Sequence, residues 1–321
     1  MKKLKHEDIV SLHEVIDDES SDQLFLVLEY VPGGVLLEWD EDCSQFFAPH
    51  GDRPAGDACN ASHRLMLYSE ALAAELVLSM LHGLEYLHMH HFAHRDIKPQ
   101  NCLVATNPDG GHSVKIADFG VAHHFDEEDH LKPKPLKELS RSKSRGQVTR
   151  TEGTYAFWAP EMCEGGAFNA YSADVWAVGV CVFAMLFGAL PFSAEKGDSA
   201  GLFEAIQTRD LLLPEDCSPD AASFLRGMLS KDPSSRLSLT EALEHPWLHS
   251  APPGGKAQKS HPVVLPPPTT EEVASAVSPI ERFIVHSPSS MLQPMKRKSS
   301  SEAHLHGADP KPHSQKACAV M

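Results

Sequence analysis

Basic residues are scarce in this chain. Its 321 residues hold 28 Lys and Arg against 44 Asp and Glu, a net charge of −16. That balance excludes the continuous positive surface a phosphate backbone requires, so nucleic acid is not an expected partner. The acidity serves solubility or, alternatively, attracts basic substrate peptides. Cysteine spacing of the metal-binding kind is also missing. Cys43, Cys59, Cys102, Cys163, Cys181, Cys217 and Cys318 are scattered, with no C-x-x-C pair, which points away from zinc sites and disulfide frameworks and toward a reducing, cytoplasmic setting. No secretory leader and no unbroken apolar run of membrane-spanning length is present. Residues 175–192 are strongly apolar but carry Gly179, Gly188 and Pro191, and read as a buried core helix. The 20 histidines form no ligand pattern, and His88, His90 and His91 read as satisfied or solvated side chains near a helix end. What remains is 42% apolar and 22% charged, the composition of an ordinary soluble protein with length for one large or two modest domains.

The chemistry is concentrated in His94-Arg95-Asp96-Ile97-Lys98-Pro99-Gln100-Asn101 and, shortly after, Ala117-Asp118-Phe119-Gly120. Residues 101–106 read as an apolar strand, 107–111 as a tight turn and 112–117 as the return strand. Such a hairpin brings Asn101 and Asp118 to the same end of the sheet. Two oxygen ligands aimed at one point suit Mg²⁺, which takes carboxylate and carbonyl oxygens together with substrate phosphates. Asp96 is left facing whatever hydroxyl approaches that phosphate, and Lys98 is the one positive charge among them. Phosphoryl transfer is the chemistry this arrangement serves, because positioning and charge neutralisation do most of its catalysis.

The two motifs resemble the catalytic loop and metal-binding motif of eukaryotic serine/threonine protein kinases, and a third, Gly153-Thr154-Tyr155-Ala156-Phe157-Trp158-Ala159-Pro160-Glu161, resembles the end of the kinase activation segment. The resemblance implies an α+β, kinase-like fold: a partial small β lobe over residues 1–34, a mainly helical large lobe over 35–248 with an activation segment at 118–161, and a disordered tail over 249–321. It implies that Asp96 orients the substrate hydroxyl and accepts its proton, that Lys98 neutralises the transferring phosphate, and that Asn101 and Asp118 hold Mg²⁺ against ATP. By the same likeness Leu28 is the gatekeeper, the backbone of Glu29 and Val31 meets adenine, and Leu103 packs beneath it. Thr154 joins the catalytic and substrate-binding loops, while His94 and Phe119 belong to an apolar spine. Asp174 holds the catalytic-loop backbone, and Arg236 pairs with Glu161.

Residues 1–12 resemble the end of the kinase αC helix entering strand β4. No G-x-G-x-x-G followed by a V-A-I-K-like strand occurs, and Gly33-Gly34 reads only as a turn. The chain is therefore expected to be either N-terminally incomplete or a shortened protein, and the alternative function is a non-catalytic kinase-like interaction module. Residues 36–67 are polar and turn-rich and read as a long loop. Ser69 caps a helix whose apolar stripe is Leu72, Leu76, Met80, Leu84 and Leu87.

The middle of the activation segment mixes charge clusters with prolines, a composition that does not order itself. A phosphate there would pair with Arg95, with Thr149 and Thr151 as first candidates and Ser142 and Ser144 behind them. After Pro252 the composition turns Pro- and Ser-rich. Residues 269–280 and 295–299 resemble the region following the catalytic domain in calcium/calmodulin-dependent protein kinase kinases, implying calmodulin as a partner and another kinase as protein substrate. Pro288 and Pro294 interrupt the basic stretch. Cys318-Ala319-Val320-Met321 fits a farnesyl acceptor, the only expected membrane link, or is a free terminal cysteine.

Overall fold

The computed structural model describes residues 4–17, 24–41, 44–49, 67–107, 110–125, 147–148 and 151–249. The chain divides into two compact units, the smaller holding residues 4–5 and 10–30 among those described, the larger residues 6–9 and 31–249. The smaller unit is an antiparallel hairpin of β1 (Leu12–Asp17) and β2 (Leu24–Leu28), registered Leu12↔Leu28 to Asp17↔Leu24. In β2 leucines at 24, 26 and 28 alternate with Phe25 and Val27, residues that suit a pleated surface. The hairpin ends inside the 1–34 segment set apart from the sequence.

In the larger unit, residues 33–36 run beside a later strand before a small hairpin of β3 (Glu38–Asp40) and β4 (Gln45–Phe47). This corrects the reading of 36–67 as a polar loop at its start, since Leu36 and Leu37 are wholly buried and Phe46 is 3% exposed. Helix α1 (Glu70–Met89) begins where Ser69 caps it, the Ser69 hydroxyl accepting from Leu72 N–H at 3.3 Å. Leu76, Met80, Leu84 and Leu87, each at most 1% exposed, form its core stripe.

After β5 (Phe92–Ala93) and a 3-10 turn at Pro99–Asn101 comes the hairpin of β6 (Cys102–Thr106) and β7 (His112–Ile116). Its register runs Cys102↔Ile116 to Thr106↔His112, and the turn closes through Asn107 N–H to Gly111 O at 2.8 Å. Both edges are covered. Along β6, Gly34 O accepts from Val104 N–H at 2.9 Å and Leu36 N–H donates to Cys102 O at 2.7 Å. Gly33 sits in the turn that was read there, and lies so near β6 that an added Cβ would stand 2.1 Å from the Val104 carbonyl oxygen, so it is a close-approach residue as well. Along β7 the three outward amides find three different acceptors: His112 N–H the Glu75 carboxylate (2.6 Å), Val114 N–H the Ser79 hydroxyl (2.7 Å) and Ile116 N–H the Asp8 carbonyl (2.9 Å).

β8 (His123–His124) pairs with β5, and β9 (Gln147–Val148) with β10 (Phe168–Asn169), which follows the short helix α2 (Pro160–Cys163). Helix α3 (Ala170–Phe187) starts at an Asn169 cap, one turn earlier than Asp174, and stops at Gly188, whose φ of +64° suits a left-handed C-cap. It is apolar and long enough to cross a membrane by composition, yet 94% of it is buried inside the fold. Helices α4 (Ser199–Thr208), α5 (Pro219–Met228), α6 (Leu239–Leu243) and α7 (Pro246–His249) complete the unit.

Candidate active site

The site is assembled by one buried carboxylate on α3. Asp174, 1% exposed, accepts from Arg95 N–H at 2.7 Å through Oδ1 and from His94 N–H at 2.9 Å through Oδ2. A third bond joins Oδ2 to His88 Nε2 at 2.9 Å. A carboxylate this buried is stable only with such partners, and they fix the backbone just ahead of Asp96. Arg95 takes a φ of +70° there and Asp118 a φ of +59°. Side chains rarely adopt this left-handed region, and strain of this kind gathers where the surroundings over-determine the chain.

His94 ties the two motifs together. Its Nδ1 accepts from Asp96 N–H at 3.3 Å, so Nε2 carries the proton toward Ala117 O at 3.0 Å. Complete burial lowers the His94 pKa, against the pull of Asp174 and the Ala117 carbonyl, which agrees with a neutral ring. The ring meets Phe119 edge-on with centroids 5.1 Å apart.

Asp96 is the hub. Its Oδ1 accepts from Thr154 N–H (3.0 Å) and the Thr154 hydroxyl (3.2 Å), and its Oδ2 from Lys98 Nζ (2.7 Å) and Asn101 Nδ2 (3.1 Å). Lys98 Nζ also donates to the Thr154 hydroxyl at 3.0 Å. Gly153 makes this approach feasible: with φ +100°, its place leaves a Cβ only 2.6 Å from Arg95 O.

The hairpin register sets Asn101 opposite Ala117, whose N–H donates to Asn101 O at 2.8 Å, so Asn101 and Asp118 share one end of the β6–β7 ladder. The Asn101 NH₂ donates to Asp96 O and Oδ2, which leaves Oδ1 as its acceptor for a cation. Asp118 Oδ1 accepts from Gly120 N–H at 3.1 Å, and the exposed carboxylate retains a second oxygen. Among the described residues no three His, Cys, Asp or Glu side chains cluster as a metal site. One amide and one carboxylate fit Mg²⁺, which keeps waters and substrate phosphates as its other ligands.

The remaining expected residues fall as follows. Leu103 lies in β6 opposite Lys115 and bridges to Val35. In the hairpin unit Leu28 is 9% exposed, and Glu29 donates its N–H to Ser11 O at 2.8 Å. In the larger unit Val31 O accepts from Gly34 N–H at 3.5 Å. Arg236, 5% exposed, makes a two-pronged pair with Glu161 at 2.8 and 2.9 Å. Thr151 is described; Thr149, Ser142, Ser144, Cys318, the calmodulin-like stretch and all of the 249–321 tail but His249 lie outside the described residues.

Three residues were not legible as site residues. His88 read as an ordinary helix-end histidine, because its partner Asp174 is 86 positions away. Glu152 and Gly153 sit against Arg95; an acid and a glycine immediately before Thr154 were the available signal. Beyond them Trp158 stacks on Phe203 of α4 (5.5 Å, 6°), with Tyr155, half exposed, edge-on to both.

Comparison with known proteins agrees with this geometry. Residues 1–248 match the protein kinase domain family. The chain is similar to serine/threonine-protein kinase GRIK1 of Arabidopsis thaliana, 35% identical over 248 residues, 77% of this chain and 52% of that protein. Serine/threonine-protein kinase ssp1 of Schizosaccharomyces pombe is 34% identical over 294 residues, 88% and 39%. Serine/threonine-protein kinase TOS3 of Saccharomyces cerevisiae is 31% identical over 264 residues, 77% and 42%. The chain spans about half the length, or less, of these relatives. On its motifs, its fold and a family match covering most of its length, the chain belongs to the protein kinase domain family.

Proposed function

We propose that this chain is the catalytic region of a serine/threonine protein kinase, transferring the γ-phosphate of Mg·ATP to a protein hydroxyl. The observation that supports this is the Asp96 carboxylate, which gathers Lys98, Thr154 and Asn101 within 3.2 Å. Asp96 orients the incoming hydroxyl and takes its proton. Lys98, paired with Asp96 at 2.7 Å, is the cation that neutralises the transferring phosphate once its partner is engaged by substrate. Mg²⁺, when bound, supplies neutralisation of phosphate charge; Asn101 Oδ1 and the Asp118 carboxylate are the groups to hold it. Within the larger unit, the Val31 backbone and the apolar Leu103 side chain are the groups that by the kinase likeness would meet adenine. The test is Mg·ATP-dependent phosphorylation of a general protein substrate by the purified 321-residue chain. Transfer is expected and Asp96→Asn should abolish it; transfer surviving in Asp96→Asn would overturn the assignment.

A second reading, a non-catalytic kinase-shaped interaction module, is favoured by one observation. No Gly-rich loop with its following lysine strand occurs among these 321 residues. Absence of transfer together with absence of nucleotide binding by calorimetry would favour that module. The finer assignment, to kinases that phosphorylate the activation segment of another kinase, rests on the likeness of residues 269–280 and 295–299 to the calcium/calmodulin-dependent protein kinase kinase group. Neither the family match nor the relatives' names support calmodulin binding or membrane anchoring through Cys318. A cytoplasmic location rests on the scattered cysteines alone.

A further inference from the structure

The arginine ahead of the catalytic aspartate is already answered by an acid. Arg95 is fixed at its backbone by Asp174, and its side chain, 6% exposed, reaches two places at once. Nη1 lies 3.4 Å from Val121 O, just past Asp118-Phe119-Gly120, and 3.5 Å from Glu152 Oε2, just ahead of Gly153-Thr154. One guanidinium therefore touches the entry and the exit of the 118–161 segment. Glu152 is held at its backbone too, its carbonyl accepting from Trp158 Nε1 at 3.2 Å. Directly after it, Gly153 passes over Arg95 O and Thr154 bonds Asp96. The carboxylate stands where the sequence reading set a phosphate from Thr149 or Thr151. A phosphate would bring a charge of about −1.5 to −2; Glu152 brings one permanently and without a second enzyme.

We propose that Glu152 is a positioning residue, a resident anion that holds Arg95 and so keeps residues 151–154 seated against Asp96 without phosphorylation of the segment. What that seating is for rests on the kinase reading; the seating itself does not. A phosphate on the neighbouring Thr151 would compete with this carboxylate for the same guanidinium instead of completing the site.

The test is hydrogen exchange of the full 321-residue chain over peptides covering 151–158. It compares protein as purified, protein treated with a broad phosphatase, Glu152→Gln and Glu152→Asp. Phosphatase treatment should leave exchange unchanged, Glu152→Gln should speed it about fivefold, the scale of a lost partly exposed ion pair, and Glu152→Asp should fall between. If phosphatase loosens the segment as much as Glu152→Gln does, a phosphate is the holding anion and the proposal is wrong. Unchanged exchange in Glu152→Gln overturns it equally. In the transfer assay, Glu152→Gln should raise KM for the protein substrate more than KM for ATP. A chain with no transfer at all would sink the kinase reading and leave the exchange result to decide on Glu152.

Discussion

Replacing Arg236 with alanine removes the clamp between the end of the activation segment and the large-unit core, and its cost follows from what is left behind. The guanidinium donates twice to Glu161, twice to Ser172 at 2.9 and 3.0 Å, and once to Ser230 O at 3.2 Å, while lying 5.1 Å over the Trp176 ring. The Arg236 side chain is 1% exposed and that of Glu161 14%. Breaking one side of a buried pair typically costs about 3–5 kcal/mol; water reaching Glu161 places this one near the lower figure, about 3 kcal/mol. In a domain of this size that is a fall in Tm of about 6–12 °C, read by calorimetry or circular dichroism. A cycle with Glu161→Gln separates the pair from packing on Trp176: the double variant should be less destabilised than the sum of the singles by about 2 kcal/mol. A Tm change below about 2 °C for Arg236→Ala, or strict additivity in the cycle, would refute the reasoning.

Other expectations are equally direct. Asp174→Asn keeps one acceptor where His94, Arg95 and His88 need more, so urea unfolding should register a loss of about 2 kcal/mol and transfer activity should collapse with it. Gly153→Ala forces a Cβ to within 2.6 Å of Arg95 O at a φ of +100°; we expect about 1–3 kcal/mol of destabilisation and a raised protein-substrate KM, measured by thermal melts and initial rates. The lowered His94 pKa gives a pH dependence with a definite sign. The folded state binds fewer protons here than the unfolded chain, so stability is full above the ordinary 6.5 and falls as pH drops below it. The stability advantage of wild type over His94→Phe should shrink between pH 7 and pH 5; a gap that widens on acidification would contradict a neutral, buried ring.

The part of the site that lay open in the sequence is the part whose geometry is local. Residues 101–117 declare a hairpin through an apolar run, Asn107 and two glycines, and the register puts Asn101 and Asp118 at one end as the spacing required. Ser69 likewise declared a helix start through its own first turn. What stayed hidden depends on partners far along the chain. Leu36 and Leu37 are two apolar residues in a polar stretch, and only contact with β6 and with Tyr68, whose hydroxyl donates to Leu36 O at 2.9 Å, reveals them as core. Gly33 owes its identity to a backbone 71 positions later, and His88 to a carboxylate 86 positions later. No pattern of period 2 or 3.6 encodes such meetings.

The outer side of β7 has a consequence for how the fold avoids error. Sliding β7 by two residues along β6 would keep every side chain on its proper face, so hydrophobic alternation cannot forbid it. The slip would, however, move each outward amide past its own acceptor and leave one of the three, a glutamate, a serine or a peptide carbonyl, facing no strand amide, because β7 offers only those of residues 112, 114 and 116. Helix α1 and the Asp8 carbonyl thus act as a ruler against which the strand is measured, and the alignment of Asn101 with Asp118 is inherited from groups that lie outside the Asp96 site.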